Sequence, residues 1–265
     1  MHVADNFASF ADIDLTGRSA VMCDLDGCLL SGGHVYEGAG EFVRACGERL
    51  WVVSNNSSDT AATLAARLTG LGLPVPADRI LLAGEQTVRR LAGDSRKRSV
   101  AVFADAPLRE LAQELGLAPD EAVPEVVVLG RDGRFGLKAL EQLAGLVVDG
   151  AELWATNLDL SHPAASGHPV PETGALLRAL EACCGPLTVR SIGKPAPDLI
   201  EIALSRSGAD RSRALFVGDN AATDGGAALA AGIPFARIKH PVRHAPAAEA
   251  ADDAAAADNR RRAAC

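Results

Sequence analysis

Asp24 and Asp26 stand one residue apart in Val21-Met22-Cys23-Asp24-Leu25-Asp26-Gly27-Cys28, where an apolar run ends and a glycine follows. Aspartate is a poor strand former, and two carboxylates this close repel each other, so the arrangement needs a counter-charge. A hard cation such as Mg²⁺ prefers oxygen ligands and supplies that charge. Asp24 can then attack phosphorus as a nucleophile while Asp26 handles the proton of the leaving group. Gly27 allows a sharp turn that offers backbone N–H groups to an anion. Ordinary surface turns also produce Asp-x-Asp, so the pair does not decide the matter alone.

Three further segments have the same build. In Leu50-Trp51-Val52-Val53-Ser54-Asn55-Asn56-Ser57-Ser58 an apolar run gives way to hydroxyl and amide groups suited to phosphate oxygens. Ser54 comes too early to cap the following helix and is read as a ligand contact, whereas Ser57 or Ser58 is expected to be that cap. In Ile192-Gly193-Lys194-Pro195-Ala196-Pro197-Asp198, prolines start a helix directly after Lys194, so its ammonium can reach a phosphate at the sheet edge. Leu215-Phe216-Val217-Gly218-Asp219 ends in a third aspartate, and Asp224 follows five residues on. That spacing suits one carboxylate touching a metal and a second standing behind it.

Alternating elements must carry these residues. Strand-like runs lie at 19–24, 50–54, 99–104, 125–129, 151–156, 213–217 and 234–238, with helix-like stretches at 58–71, 84–92, 107–116, 136–147, 172–183, 195–208 and 221–231. Such alternation predicts an α/β fold with a mostly parallel sheet, whose ligand site lies beyond the carboxyl ends of the strands. Asp24, Ser54 and Asp219 all fall there. Breaks near 71–80 and 183–190 divide the chain into a discontinuous core, 1–80 and 187–245, around an inserted smaller α/β domain, 81–186. The Ala- and Asp-rich stretch 246–265 is expected to be a disordered tail.

Bulk properties narrow the partners. With 48% hydrophobic residues the chain can bury a sizeable core, while a net charge of −8 and 4% aromatic residues argue against nucleic acid and anionic membranes. The N-terminal stretch lacks the basic and apolar regions of a secretory leader, and no apolar run approaches the roughly 20 residues needed to cross a bilayer. A cytoplasmic protein is expected. Cys23, Cys28, Cys46, Cys183, Cys184 and Cys265 show no metal-ligand spacing and read as free thiols.

Taken in order, Asp-Leu-Asp-Gly, Ser-Asn-Asn-Ser, Gly-Lys-Pro and Gly-Asp-Asn-x-x-Thr-Asp resemble the four motifs of the haloacid dehalogenase superfamily. Ala155-Thr156-Asn157-Leu158-Asp159 and Pro171-Glu172-Thr173-Gly174-Ala175-Leu176 resemble the C2-type cap of its NagD-like, 4-nitrophenylphosphatase-like branch. The resemblance implies a Rossmann-like, doubly wound parallel-sheet core with an inserted cap. It implies hydrolysis of a small phosphorylated metabolite by a Mg²⁺-dependent phosphatase, through an aspartyl-phosphate intermediate. Asp24 would be the nucleophile and Asp26 the general acid/base. Mg²⁺ would be held by the Asp24 carboxylate, the Asp26 carbonyl and Asp219, with Asp224 nearby. Ser54 and Lys194, with backbone N–H groups near Gly27 and Asn55, would hold the phosphoryl oxygens. Such caps often form homodimers. Candidate substrate contacts on the cap are Asn157, Asp159 and Glu172, together with His162 and His168 in a Pro/Gly/Ser-rich loop; histidines in such a loop are also commonly just solvated. Cys28 and Glu172 depart from the family, which usually has Thr or Val and Gly there. A phosphomutase and a catalytically idle binding protein remain as rival readings.

Overall fold

The computed structural model describes residues 5–95, 99–117, 123–163 and 168–240. Six parallel strands form the larger sheet, in the spatial order Asp5–Phe7, Phe235–Ile238, Ala214–Gly218, Ala20–Cys23, Leu50–Ser54 and Ile80–Leu82. Every residue of its three central strands is buried, as befits a parallel sheet covered on both faces. Alternation decides which face each side chain meets. Val21, Cys23, Val52, Leu215 and Val217 pack against Phe42 and Val43 of helix Ala39–Cys46 and Leu64 and Leu68 of helix Ala61–Gly70. Ala20, Met22, Trp51, Val53 and Phe216 face the other way, onto Leu199, Ile200 and Ala203 of helix Asp198–Ser207 and Val88 and Leu91 of helix Ala83–Ala92.

This second cluster continues without a break into the inserted domain through Val100, Val102, Leu108, Val126, Val128 and Trp154. There a four-stranded parallel sheet runs in the order Val189–Arg190, Glu152–Ala155, Val126–Leu129 and Val100–Phe103. Its far face, with Ala101, Val127 and Leu129, packs on Leu143 of helix Leu137–Val148 and Leu177 and Leu180 of helix Thr173–Cys184.

All seven expected strands are present, with ends moved by a residue or two. The division between domains needs correcting at both edges. Strand Ile80–Leu82, which the 80/81 boundary cuts, lies wholly in the larger sheet, and Val189–Arg190, beyond the 186/187 boundary, pairs with the smaller one. The helix expected at 221–231 is a π-helical turn, Ala221–Gly225, running into helix Gly226–Ala231. The stretch 246–265 lies outside the described residues.

The cap expected at Ser57 or Ser58 is instead Thr60. Its hydroxyl accepts from the Thr63 N–H at 3.3 Å, and the Thr63 hydroxyl accepts from the Thr60 N–H at 3.0 Å. The two serines are otherwise engaged. Ser57 Oγ accepts the Arg131 N–H at 3.2 Å, and Ser58 Oγ accepts from Arg131 Nη1 at 3.2 Å, so both tie the core to the inserted domain.

Candidate active site

Four chain segments meet at the carboxyl ends of the central strands. Strand Ala20–Cys23 delivers Asp24, whose N–H donates to the Val217 carbonyl at 2.9 Å and so locks the neighbouring strand ends together. The chain then turns tightly, with the N–H groups of Cys28, Leu29 and Leu30 all directed to the Leu25 carbonyl. Gly27 sits in this turn at φ 90°, where a side chain would be strained, and a Cβ there would lie 2.6 Å from Asp219 Oδ2. The glycine thus serves both the turn and the close approach of the third aspartate.

Lys194 is the electrostatic centre. Its side chain is 3% exposed, and Nζ donates to Asp24 Oδ1 at 2.5 Å and to Asp224 Oδ1 at 2.6 Å. It also lies 5.5 Å from the centroid of the Phe216 ring. Burial works against the ammonium's charge, but the attraction of Asp224 and Asp24 together outweighs it and raises the lysine above its ordinary range. Asp224 uses its other oxygen to accept the Asn220 N–H at 3.1 Å, and a Cβ on Gly218 would collide with its carboxylate. Asp224 is thus held through both oxygens, by Lys194 on one side and by the Asn220 N–H on the other.

Asp24, Asp219 and Asp224 each offer a carboxylate oxygen within 4.8 Å of the others. Burial, then repulsion from Asp224, pushes Asp219 up to about 6. Burial drives Asp24 well above the carboxylate range, against the pull of Lys194. Three carboxylates facing one ammonium leave an excess of negative charge in a buried place. A hard dication with oxygen ligands fits that donor set and removes the repulsion. Asp26 opens onto the cleft instead; the protein crowding it raises its carboxyl, with His162 pulling most strongly the other way.

Of the expected phosphate contacts, Ser54 is buried at the end of its strand, its hydroxyl accepting the Asn56 N–H at 3.1 Å. The Asn55 side chain has work the sequence reading did not foresee. Its Oδ1 accepts the Lys194 N–H at 2.7 Å and its Nδ2 donates to the Lys194 carbonyl at 3.0 Å, holding the main chain of that residue at both its polar groups. Nδ2 also donates to Asp159 Oδ2 of the cap at 3.0 Å. Gly193 permits this meeting, since a Cβ there would be 2.7 Å from the Thr156 carbonyl and 2.9 Å from Asn55 Oδ1.

Asn157 has partners of its own inside the protein. It is fully buried and donates to the Asn55 carbonyl at 2.8 Å and to Thr173 Oγ1 at 3.4 Å, so it belongs to the joint between the domains. His162 and Glu172 come together, Nδ1 to Oε1 at 2.6 Å, while His168 is exposed and apart from them. Cys23 and Cys28 are buried free thiols, Sγ to Sγ 3.6 Å; burial pushes both up, the reverse of a reactive thiolate.

Residues 21–118 match the family described as haloacid dehalogenase-like hydrolase, and residues 191–259 match a second HAD-hydrolase-like family. Dihydroxyacetone phosphatase of Corynebacterium glutamicum is 30% identical over 85% of this chain and 82% of its own length. Ribonucleotide monophosphatase NagD of Escherichia coli is 29% identical over 80% and 84%. Among solved structures, a glycerol phosphate phosphatase from Mycobacterium tuberculosis in complex with magnesium superposes with a TM-score of 0.78 at 29% identity, covering 86% of this chain and 70% of that one. A 4-nitrophenylphosphatase from Thermotoga maritima gives 0.77 at 27%, covering 83% and 85%. With motifs, sheet order and relatives in agreement, the chain belongs to the haloacid dehalogenase-like hydrolases, in the NagD-like branch.

Proposed function

We propose that the protein is a Mg²⁺-dependent phosphatase that hydrolyses a small phosphomonoester through an aspartyl-phosphate on Asp24. One observation carries the reading: a buried ammonium bonded at once to Asp24 and Asp224, with Asp219 beside them. Relatives named as phosphatases support it, as does the magnesium complex of one of them.

Asp24, Asp219 and the Asp26 carbonyl would hold the cation, with Asp224 behind them. When bound, Mg²⁺ would supply positive charge against the phosphate and its developing negative charge. Lys194 adds its ammonium on the other side, so a dianionic phosphate can approach the Asp24 carboxylate. Ser54 and the main-chain N–H groups near Gly27 and Asn55 orient the phosphoryl oxygens. Asp24 attacks phosphorus in line with the departing oxygen. Asp26, open to the cleft and raised by its surroundings, gives that oxygen a proton; it then takes one from the water that cleaves the aspartyl-phosphate.

The test is inorganic phosphate release from 4-nitrophenyl phosphate with and without Mg²⁺, in the wild type and in Asp24→Asn. The variant should fold normally and lose about 10³-fold or more in kcat. Undiminished turnover in a clean variant preparation, or indifference to chelators, overturns the reading. Phosphate appearing in step with the alcohol excludes transfer to a second hydroxyl.

The reading extends to a cytoplasmic homodimer joined through the cap. The free thiols suit a reducing compartment, and Leu137 and Val148 stand exposed on a cap helix. Among the described residues no helix is long and apolar enough to cross a membrane.

A further inference from the structure

Strand Phe235–Ile238 carries none of the residues given a part in the reaction, yet two side chains near its carboxyl end hold the main chain of two turns that do. Arg237 is half-buried and pairs in the sheet with Gly218, the residue before Asp219. Its Nε donates to the Asp219 carbonyl at 2.8 Å. Burial and repulsion from Asp224 raise the Asp219 carboxyl, and the guanidinium is among the charges that pull it back.

His240, two residues beyond the strand, does the same for the turn after Asp26. Its Nε2 lies 2.7 Å from the Cys28 carbonyl. A carbonyl can only accept, so this nitrogen carries a proton and donates it. The imidazole is stacked on Tyr36, with centroids 3.5 Å apart and planes 3° from parallel, and Phe10 lies 5.6 Å away. Those rings fix the orientation of the donor. Within the turn itself the Gly27 N–H donates to the Leu30 carbonyl at 2.8 Å, so the turn keeps its own shape while His240 ties it to the sheet.

The two turns touch, since a Cβ on Gly27 would lie 2.6 Å from Asp219 Oδ2. Asp24 and Asp26 open one turn and Asp219 opens the other. A slip of either main chain therefore changes the span between the oxygens that would hold the cation. Mg²⁺ tolerates little of this, because it demands near-octahedral ligands at about 2.0–2.1 Å.

We propose that Arg237 and His240 are positioning residues for the Mg²⁺ site, Arg237 fixing its Asp219 end and His240 its Asp24–Asp26 end. Both bond to main-chain oxygens rather than to reacting groups. Both also extend from one strand, so the span is set by the sheet rather than by the turns alone. The inference rests on the phosphatase reading above for which groups hold the cation.

Calorimetric titration of Mg²⁺ into the full-length wild type and variants tests it, with melting temperatures recorded alongside. Arg237→Gln should weaken Mg²⁺ binding about tenfold or more, the usual cost of losing a group that supports a metal ligand. His240→Phe keeps a ring against Tyr36 without the donor and should lose about as much. His240→Gln puts an N–H back near the place of Nε2 and should stay within about threefold of wild type. Arg213→Gln is the control: it removes a similar bond, Arg213 Nε to the Gly17 carbonyl at 3.0 Å, at the far end of the strands. It should lower the melting temperature and leave Mg²⁺ affinity unchanged. Unchanged affinity in folded Arg237→Gln or His240→Phe overturns the proposal for that residue. An equal loss in Arg213→Gln, the mark of general loosening, overturns it for both. The two ends are tested separately, so if one variant does not fold the other still decides. Weakened Mg²⁺ binding in the variants with no phosphate release by the wild type supports the positioning roles and strikes instead at the phosphatase reading.

Discussion

Two parallel sheets turn the carboxyl ends of their strands towards one cleft, and those ends are built differently. At the core sheet's ends Asp24 and Asp224, 8% and 1% exposed, meet the ammonium of Lys194, 3% exposed, which follows strand Val189–Arg190. Around the cap stand partly exposed pairs, Arg131 with Asp105 at 29% and 25% and His162 with Glu172 at 42% and 15%. Buried charges act strongly on one another and have little freedom to move, which suits the fixed part of a reaction. Exposed pairs are screened and weak, and can be exchanged at little cost to the fold, which suits the part that differs between substrates.

The contrast can be broken at its strong end. Lys194→Met leaves Asp24 and Asp224 buried without their cation, so the metal-free protein should lose about 3–5 kcal/mol in urea unfolding. Added Mg²⁺ should restore much of the stability and none of the turnover. A loss no larger than that of an exposed ion pair would show that water reaches this cluster.

Gly27→Ala sharpens the comparison with a smaller effect. A Cβ at φ 90° costs about 1–2 kcal/mol by itself, and here it also meets the Asp219 carboxylate. Mg²⁺ titration should show weakened binding together with the lower melting temperature. A wild-type affinity would mean that Asp219 can move aside freely.

Much of the strong end was legible in the sequence. Asp24, Lys194, Asp219 and Asp224 each follow an apolar strand or precede a proline-started helix, and in a parallel sheet such positions converge. The weak end was not. Strands of two or three residues, such as Val189–Arg190 and the pair Ser161–Pro163 and Pro169–Pro171, are too short to show a period. Helix Ala39–Cys46 was missed because Gly38, at φ 78°, replaces a side-chain cap. Thr60 took the cap expected of Ser57 or Ser58 because the inserted domain claims those hydroxyls. Asn55 read as a phosphate contact, and its hold on the Lys194 main chain spans a separation of 139 residues that no local pattern reports.

The smallest expected effect is one of pH. Asp219 is held at about 6, above its ordinary 3.8, so the folded metal-free protein binds a proton that the unfolded chain has lost between those values. The stability this contributes is complete below pH 3.8 and is lost as pH rises through 6. Mg²⁺ should therefore raise the melting temperature more at pH 7.5 than at pH 5. Equal increments at both would show that Asp219 carries no such strain.

The seam where cap meets core has its own consequence. Ser57 and Thr156 each meet the Thr173 hydroxyl at 3.3 Å, and Asn157 joins Thr173 to the Asn55 carbonyl. A greasy seam of equal volume would tolerate sideways slippage, because dispersion forces have no direction. This one does not, since each ångström of slip would strand a buried donor away from water. The inserted domain is therefore keyed to the core in one register, since a shift in any direction would break several of these contacts together.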